Sequence, residues 1–535
     1  MNSRLGRIGT FLILITLSVL VFCYFASQKE VWYADEIYTY ESANGIESAW
    51  PHTTPDKWIS GKDVESYLAA DNSAFGFDTI SNVLYGDHVP LYFWIFRFVS
   101  VLFFRGSASI WIGLSINLFF FLLAIISCFF FLHKHIGDIP SAILIFLVMV
   151  VSVVGANQYT VLRMYMMMLA LELLLMILSF KVISGEKWSG KSWGQVVCLY
   201  LVSLCGLMTH YDFWIFYAFT SAFGCLYLVI KAFGMRKEMG AKMFLSYPAK
   251  AVYAWCVSFA AALITLDRLF PYWKWNLHKD KGEKAISALF AITRERLDNI
   301  GWGFERLSAL LFGEKVPAVP VVIIFYGVIA VGIGILCKKK RIEEVRCIVL
   351  AMVIAVSYRI VVCYTLPDVR EERYLWCSIT IEALCLGYLV ISMLQMIAAK
   401  KIGYAIGCVL CVGILANNIM NFDKGLNVSY LFQPNRDVSK LEAYSDVPWV
   451  VYGPLCGMFS YYDWTMPTEL CFITEEKTDS DDEAARHLAG KDVYLLYVHE
   501  ALVDDAVEYF NLINGTDCHA EYLTQSTNLT VYVVR

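Results

Sequence analysis

Eleven apolar segments of about 20 residues decide what this chain can fold into, because a helix that crosses a bilayer needs roughly that length. Only 17% of the residues are charged, 58% are hydrophobic, and the mean hydropathy is +0.56. This composition excludes a soluble enzyme, a disordered scaffold and a disulfide-stapled secreted module. The sequence therefore predicts an all-α polytopic membrane protein with about 11 transmembrane helices, at about 8–27, 108–132, 139–155, 164–182, 194–210, 213–230, 251–270, 318–337, 345–365, 374–397 and 402–420.

A twelfth apolar stretch, Leu91–Phe104, has 14 residues, contains Arg97, is followed by Arg105 and is rich in aromatic side chains. These features favour an interfacial helix over 90–104. If this stretch does not span and the N-terminus is inside, the five short inner loops hold 16 Lys/Arg and the short outer turns hold four. The opposite arrangement would contradict the positive-inside rule. We therefore expect a multi-pass protein of the cell membrane with a cytoplasmic N-terminus.

The chain divides by composition into a transmembrane domain, 1–420, and a tail, 421–535. The topology leaves the tail and two loops, 28–107 and 271–317, on the extracytoplasmic face. The second loop carries an amphipathic pattern near 284–311 that predicts a helix. The tail holds 19 Asp/Glu against 7 Lys/Arg. Its apolar runs predict strands at Trp449–Tyr452, Val493–Val498 and Leu529–Val534, with a helix near 501–512, so we expect a small extracytoplasmic α/β domain.

Polar side chains that a membrane would make costly gather on this outer face. They could be catalytic, or they could have ordinary roles: a solvated acid pair, a helix cap at Asp87, arginines that reach lipid head groups, and a hydrogen-bonding histidine. Their convergence from distant parts of the chain predicts a catalytic cavity for an anionic, lipid-linked substrate. Neither the charge distribution nor these clusters indicate nucleic-acid binding. The clusters are Asp35-Glu36, Asp87-His88, Arg163-Met164-Tyr165, Thr209-His210-Tyr211 and Arg370-Glu371-Glu372-Arg373-Tyr374.

Four of these motifs, in this order, resemble those of the GT-C superfamily of integral-membrane glycosyltransferases. The likeness is greatest to the bacterial branch related to protein O-mannosyltransferases (glycosyltransferase family 39) and lipid A aminoarabinose transferase. It covers roughly residues 1–420. The motifs are Asp35-Glu36-Ile37-Tyr38, Asp87-His88-Val89-Pro90-Leu91-Tyr92, the segment Gln158–Tyr165 that ends in Arg163-Met164-Tyr165, and Arg373-Tyr374-Leu375, while Thr209-His210-Tyr211 resembles a Thr-His-Tyr turn of the same branch.

The resemblance implies that a sugar moves, with inversion, from a polyprenyl-phosphate donor to an acceptor hydroxyl at the outer face. It places Asp35 and Glu36 in the catalytic motif, with Asp35 as general base. Arg163 and Arg373 become the candidates for gripping the donor phosphate. The residues expected to orient substrate are Tyr38, Asp87, His88, Tyr165, His210 and Tyr374.

The chain also departs from the family pattern. Val89 replaces the first proline of a His-Pro-Pro motif, and Val161-Leu162 stand where relatives have an acid before Ala-Arg-Met-Tyr. No residue is predicted to bind a metal, although some relatives use a divalent metal ion. The sugar, hexosyl or pentosyl, stays open, as does the acceptor, which could be lipid, glycan or protein of the cell envelope.

Three other functions fit parts of the sequence. A transporter or flippase of a polyprenyl-linked or anionic lipid would explain the arginines, but alternating access favours a site at the bilayer midplane. A ligase or polymerase would share the donor and join whole glycans. A membrane scaffold would present the acidic tail to partners.

Overall fold

The structure of the protein is a computed structural model. It describes residues 3–29, 32–44, 57–70, 88–184, 190–234, 249–250, 252–274, 287–288, 291–313, 316–365, 370–396, 400–423, 437–453, 463–473, 479–526 and 529–535. Asp87, one of the predicted substrate-orienting residues, lies outside these described residues.

Helices make up the described part of the chain up to residue 423. They are α1 (Ser3–Ser27), α2 (Ala34–Asn44), α3 (Gly61–Leu68), α4 (Leu91–Phe103), α5 (Trp111–Ile136), α6 (Asp138–Ile145), α7 (Val153–Thr160), α8 (Tyr165–Ser184), α9 (Gly190–Leu207), α10 (Asp212–Gly234), α11 (Ser258–Leu269), α12 (Arg294–Phe312), α13 (Ala318–Lys338), α14 (Ile342–Thr365), α15 (Trp376–Met396) and α16 (Lys400–Asp423). The polytopic helical fold is confirmed.

Among the described residues, eight helices are long and apolar enough to cross a membrane, and a bent pair would make a ninth. The predicted spans at 194–210 and 402–420 also form helices. Their described apolar parts, Trp193–Leu207 and Ala405–Met420, are each shorter than 18 residues. The prediction of eleven spans is therefore supported at eight or nine of its positions, and the other two positions are helical but short.

The span predicted at 139–155 is broken rather than straight. α6 continues through a π-helical turn at Phe146–Val150, and α7 then leaves at an angle of 64°. The side chain of Ser152 caps α7 by accepting a hydrogen bond from the Gly155 amide at 3.0 Å. Any side chain at Gly155 would collide with the Met149 carbonyl, so the bend depends on this glycine. The bend places the end of α7 beside the polar residues described below.

The segment predicted as an interfacial helix is α4, which is helical over 13 residues and too short to span. Its Arg97 is largely buried and donates to the backbone carbonyl of Asn44, at the end of α2, at 3.2 Å. The Asn44 side chain in turn donates to the Leu68 carbonyl at 3.1 Å. These contacts join α2, α3 and α4 of the first loop into one packed unit.

In the second loop, the helix predicted near 284–311 is α12. It begins at Arg294, because Thr293 provides the N-cap: its hydroxyl accepts from the Arg296 amide. Most of the residues between Pro271 and Arg294 lie outside the described part of the chain.

The tail forms a five-stranded mixed sheet. In chain order it contains α17 (Val438–Glu442), β1 (Pro448–Tyr452), β2 (Glu469–Ile473), α18 (Asp479–Arg486), β3 (Tyr494–Val498), α19 (Val503–Asn514), β4 (Ala520–Gln525) and β5 (Thr530–Val534). The sheet order is β2-β1-β3-β5-β4: β1 pairs in parallel with β2 and β3, and β5 is antiparallel to β3 and β4.

The three predicted strands and the predicted helix of the tail are present as β1, β3, β5 and α19. The sequence did not identify β2 and β4, the two edges of the sheet. β2 is a short run, Glu-Leu-Cys-Phe-Ile, and β4 is largely exposed and polar, so neither gives a strong strand signal.

The tail packs directly on the first loop. Ile59 forms an antiparallel bridge with Leu470 at the β2 edge, with both amides hydrogen-bonded, at 2.9 and 2.7 Å. The Gly61 amide donates to the Pro467 carbonyl at 2.8 Å, and the Trp58 indole donates to the Ala484 carbonyl at 3.2 Å. The division at residue 421 stays a prediction, and these contacts tie its two parts together.

Gly61→Ala should loosen this junction. A Cβ at Gly61 would collide with the Thr465 carbonyl, and such overpacking costs about 1–3 kcal/mol. We expect faster hydrogen exchange at the paired amides of Ile59 and Leu470 than in the wild type. Gly301→Ala is the control, because nothing lies within 4 Å of a Cβ at that helical position. Unchanged exchange in the Gly61 variant would show that this close approach does not hold the junction.

Candidate active site

The two acids predicted to be catalytic begin α2 but enter different environments. Negative side chains are favoured in the first turn of a helix because its unpaired amides carry partial positive charge. The side chain of Asp35 is 21% exposed, whereas that of Glu36 has no exposed surface. Adjacent in sequence, the two carboxylates therefore do not share one site.

Glu36 is held by three groups. Its carboxylate pairs with Nζ of the fully buried Lys29 at 2.9 Å. It also accepts from the backbone amides of Tyr33 at 2.8 Å and Leu162 at 2.7 Å. These bonds fix the start of α2 against the chain that leaves α1 and against the turn between α7 and α8. Glu36 thus holds the architecture around Asp35, and the sequence did not identify its partner Lys29.

Asp35 forms an ion pair with Arg373, whose Nη1 lies 2.8 Å from the Asp35 carboxylate. The same nitrogen donates to the Tyr33 hydroxyl at 3.1 Å and lies 3.4 Å from the Glu371 carboxylate. The guanidinium also lies over the rings of Tyr33 and Tyr374, each 5.4 Å from the ring centroid. Burial is the largest effect on the pKa of Glu371 and raises it. The Arg373 charge is the next largest effect and opposes the shift, while the charges of Asp35 and Glu372 add to it. Glu371 and Tyr33 were not assigned a role from the sequence.

Arg163 approaches Asp35 from the other side. It lies in the turn between α7 and α8, and its Nη1 donates to the Asp35 backbone carbonyl at 3.0 Å and to the Thr39 hydroxyl at 3.2 Å. Its Nη2 is 2.9 Å from Nε2 of His88. Because a guanidinium only donates, the His88 nitrogen is the acceptor in this contact. Asp35 is thus contacted by two buried guanidinium groups, Arg373 at its carboxylate and Arg163 at its backbone carbonyl.

A layer of aromatic side chains lies beside the arginines. The ring of His210 is 5.8 Å from that of Tyr165 and 5.9 Å from that of Tyr374. Burial, with help from the charges of Arg163 and Arg373, lowers the pKa of His210 to about 3. The Asp212 amide donates to Nδ1 of His210 at 3.1 Å, which also requires an unprotonated nitrogen there. His210 is therefore neutral at physiological pH.

Of the remaining predicted residues, Tyr38 lies on α2 with 38% of its surface exposed. Burial raises the pKa of its hydroxyl, and the charges of Glu41 and Asp35 add to the effect. The structure thus brings together seven of the ten predicted residues around one point and leaves Glu36 and Tyr38 at its edges. The seven are Asp35, His88, Arg163, Tyr165, His210, Arg373 and Tyr374.

Within the described residues, no three His, Cys, Asp or Glu side chains gather in a way that could hold a metal ion. Deeper in the helices, Glu382 pairs with Arg359 at 3.1 Å and accepts from the Tyr326 hydroxyl at 2.6 Å. This second buried ion pair is separate from Asp35 and its arginines.

Lys29→Met should destabilise the protein strongly. Removing one partner of a buried ion pair leaves an uncompensated charge, at a cost of about 3–5 kcal/mol. Arg7→Met is the matched control, because Arg7 and Asp138 form an exposed pair at 3.1 Å that contributes about 0–1 kcal/mol. We expect thermal unfolding in detergent to show a much larger drop in midpoint for Lys29→Met than for Arg7→Met. Adding Glu36→Gln to the Lys29→Met variant should restore part of this drop. Equal midpoints for Lys29→Met and Arg7→Met would show that the buried pair of Lys29 and Glu36 contributes no more to stability than the exposed pair.

Acid should destabilise the site through His210. Its folded pKa of about 3 lies below the ordinary value of 6.5, so the unfolded chain binds more protons between these values. The contribution of His210 to stability is therefore full above about pH 6.5 and falls as the pH decreases, by about 2 kcal/mol at pH 5. We expect the loss of thermal stability between pH 8 and pH 5 to be smaller in His210→Gln. The same loss in both proteins would exclude His210 as a cause.

Comparison with known proteins gives likenesses of shape alone. No family model matches the chain, and no curated protein matches its sequence. ArnT from Cupriavidus metallidurans, bound to undecaprenyl phosphate, has 10% identity to this chain and a TM-score of 0.49, with 98% of each chain covered. The archaeal oligosaccharyltransferase AglB from Archaeoglobus fulgidus, in complex with an inhibitory peptide and a dolichol-phosphate, has 10% identity and a TM-score of 0.47. That match covers 95% of this chain and 71% of AglB. At such low identities and scores, these likenesses assign neither a family nor an activity to the chain.

Proposed function

We propose that this protein is a glycosyltransferase that moves a sugar from a polyprenyl-phosphate donor to an acceptor hydroxyl at the outer face of the membrane. The observation that carries the proposal is the geometry around Asp35: a partly exposed carboxylate pairs with the largely buried Arg373, and the largely buried Arg163 binds the backbone carbonyl of the same residue. The sequence motifs that resemble GT-C enzymes contribute these same residues. The enzyme would be a hexosyl- or pentosyltransferase, with a lipid, glycan or protein as acceptor.

The arginines suit the phosphate of the donor. A planar guanidinium can bind two phosphate oxygens at once, and charge-assisted bonds of this kind are strong where water is excluded. Arg163 and Arg373 are 3% and 8% exposed, so their charges are poorly screened. Their contacts with the backbone of α2, with Thr39 and with Tyr33 hold them in place before a phosphate binds.

Asp35 would become available as a base when the donor binds. In this structure its carboxylate pairs with Arg373 at 2.8 Å, so the guanidinium occupies an oxygen that could otherwise accept the proton. The donor phosphate would compete for the same guanidinium, and its arrival would release Asp35. Glu371, 3.4 Å from that nitrogen, is a second group that the phosphate would displace.

The reaction balances without a further reactant. The acceptor hydroxyl gives its proton to Asp35 while its oxygen forms a bond to the anomeric carbon of the sugar. The bond between that carbon and the phosphate oxygen breaks, with inversion, and polyprenyl phosphate leaves with the electron pair. Arg163 and Arg373 stabilise the charge on the leaving phosphate, and such stabilisation contributes about 3–4 kcal/mol in comparable sites.

The other residues would orient the substrates. Neutral His88 and His210 can exchange hydrogen bonds with sugar hydroxyls without adding charge. Tyr374, which is partly exposed, offers a ring face on which a sugar can pack, and the fully buried Tyr165 packs against the Tyr374 ring. Tyr38 and Asp87 stay candidates for acceptor contacts, and Glu36 would act by holding Asp35 in position. Adding a chelator to the assay below tests whether a divalent metal ion assists the transfer.

Asp35→Asn should abolish the release of polyprenyl phosphate from a panel of polyprenyl-phosphate sugars, because the amide cannot take the proton. The assay uses the full chain in nanodiscs with crude membrane acceptors. General base catalysis contributes about 10²–10⁴-fold, so we expect a loss in this range or beyond. Glu41→Gln is the matched control: its carboxylate lies on the same helix but accepts from Tyr67, at 3.3 Å, rather than pairing with Arg373.

Normal turnover by Asp35→Asn would exclude Asp35 as the base. If the wild type binds the donors but releases no polyprenyl phosphate from any of them, the result supports the alternative function, a transporter or flippase that moves such a lipid without chemistry. That result would leave the arginines as binding groups.

A further inference from the structure

Arg373 lies in a short 3₁₀ helix, Glu372–Leu375, that leads directly into α15. Its guanidinium pairs with Asp35 and donates to the Tyr33 hydroxyl. Those contacts are made at the tip of a long side chain. The position of the backbone that carries Arg373 therefore depends on what holds the neighbouring residues.

The neighbours of Arg373 in the sequence are held by α12, the helix of the second outer loop. Nη2 of Arg306 lies 2.6 Å from the Glu372 carboxylate. Nε of Arg370 donates to the side-chain oxygen of Asn299 at 3.0 Å. Asn299 is 4% exposed, and the side chains of Arg306 and Glu372 are 22% and 21% exposed, so water screens these contacts only in part.

The contact residues of α12 share one face of the helix. Asn299, Gly303 and Arg306 are four and three residues apart, a spacing that places them on the same side of an α-helix. This face packs closely because Gly303 has no side chain. A Cβ at Gly303 would collide with the thiol of Cys363 on α14 and would contact Leu375, the last residue of the 3₁₀ helix. The whole face is thus packed where the Arg373 segment lies.

α14 supports the same segment and is itself joined to α12. The Tyr358 hydroxyl donates to the backbone carbonyl of Tyr374 at 3.1 Å. The Arg359 guanidinium lies over the ring of Phe304 on α12, 4.3 Å from the ring centroid. Two helices that contact each other therefore hold the backbone on which Arg373 is mounted.

We propose that Asn299 and Arg306 are positioning residues for the donor phosphate, because they hold Arg373 where its guanidinium can bind that phosphate. This inference rests on the proposed role of Arg373 in donor binding. Bonds between a guanidinium and a phosphate depend on alignment, and a misplacement of about 1 Å in a site can reduce the rate about 100-fold. None of the contacts given above for Asp35 and Arg163 comes from α12, so α12 acts through the segment 370–375.

Arg306→Met tests the proposal in the full chain in nanodiscs, with a fluorescent polyprenyl phosphate as the probe. We expect its dissociation constant to rise about fivefold, the size expected for the loss of a partly exposed ion pair. Arg346→Met is the matched control, because Arg346 and Glu343 form a pair of the same 2.6 Å length at the far end of α14. Exchanging the charges, with Arg306→Glu and Glu372→Arg together, should restore binding.

Asn299→Ala separates positioning from charge. Arg306→Met also removes a positive charge that could attract a phosphate from a distance, whereas Asn299→Ala changes no charge and removes only the acceptor for Arg370. We expect Asn299→Ala to weaken binding of the probe in the same direction. Should Arg306→Met not fold, Asn299→Ala decides, and unchanged affinity in that variant would overturn the positioning role.

Hydrogen exchange distinguishes failure of this inference from failure of the proposed function. The amides of Glu372–Leu375 should exchange faster in Arg306→Met than in the wild type or in Arg346→Met. Weaker binding without faster exchange would show that Arg306 acts on the phosphate directly, and unchanged affinity would show that α12 does not position Arg373. Either result overturns the inference alone. A wild type that binds no polyprenyl phosphate would instead overturn the proposed function on which the inference rests.

Discussion

The buried pair of Lys29 and Glu36 determines where Asp35 and Arg163, two residues of the candidate active site, lie. Both side chains are fully removed from solvent, and an unpaired charge at such a place would cost several kcal/mol. The pair therefore joins the end of α1 to the first turn of α2, and the bond from the Leu162 amide joins both to the turn before α8. Asp35 and Arg163 belong to these same turns. Their approach to each other follows from the way Glu36 is satisfied.

Two arginines and one further acid, Glu371, lie close to Asp35, so the charges of the two arginines are balanced by the two carboxylates. Arg163 makes no contact with the Asp35 carboxylate; it donates to the backbone carbonyl, Thr39 and His88. Only Arg373 pairs with that carboxylate, and it shares Glu371 as a weaker neighbour. A neutral His210 adds no charge of its own. An anion that bound Arg373 would change the partner of Asp35.

The helices could be predicted from the sequence because a bilayer demands long apolar runs, and hydropathy alone finds them. The motif residues could also be predicted to share one face, since the Lys/Arg counts predict the sidedness of every loop, and this sidedness stays a prediction. The break between α6 and α7 could not be predicted in this way. It depends on a serine cap and on a glycine pressed against a carbonyl, and neither changes the hydropathy of the span.

The sequence also did not show which charged side chains pair with each other in the fold. Lys29 ends an apolar span and looks like an interfacial cation, yet it is buried against Glu36. Glu371 lies in a charged run where nothing distinguishes it from Glu372, whose carboxylate instead pairs with Arg306 at 2.6 Å. The two edge strands of the tail were missed because a short strand and a polar strand carry little periodic signal.

The tail reaches the active-site helix through the first loop, and this affects how its role can be judged. The β2 edge pairs with Ile59, and α3 follows directly. Tyr67 of α3 donates to Glu41 of α2, and the carbonyl of Leu68 accepts from Asn44 at the end of α2. The helix that carries Asp35 is thus supported from the tail, whose described residues supply none of the contacts given above for Asp35, Arg163 and Arg373. Removing the tail would expose the residues of the first loop that pack against β2, and it would loosen α2 even if the tail never touched a substrate. Loss of activity on truncation would therefore not identify the tail as a scaffold for partners. A substitution confined to the junction separates support of α2 from any contact that the tail makes with an acceptor.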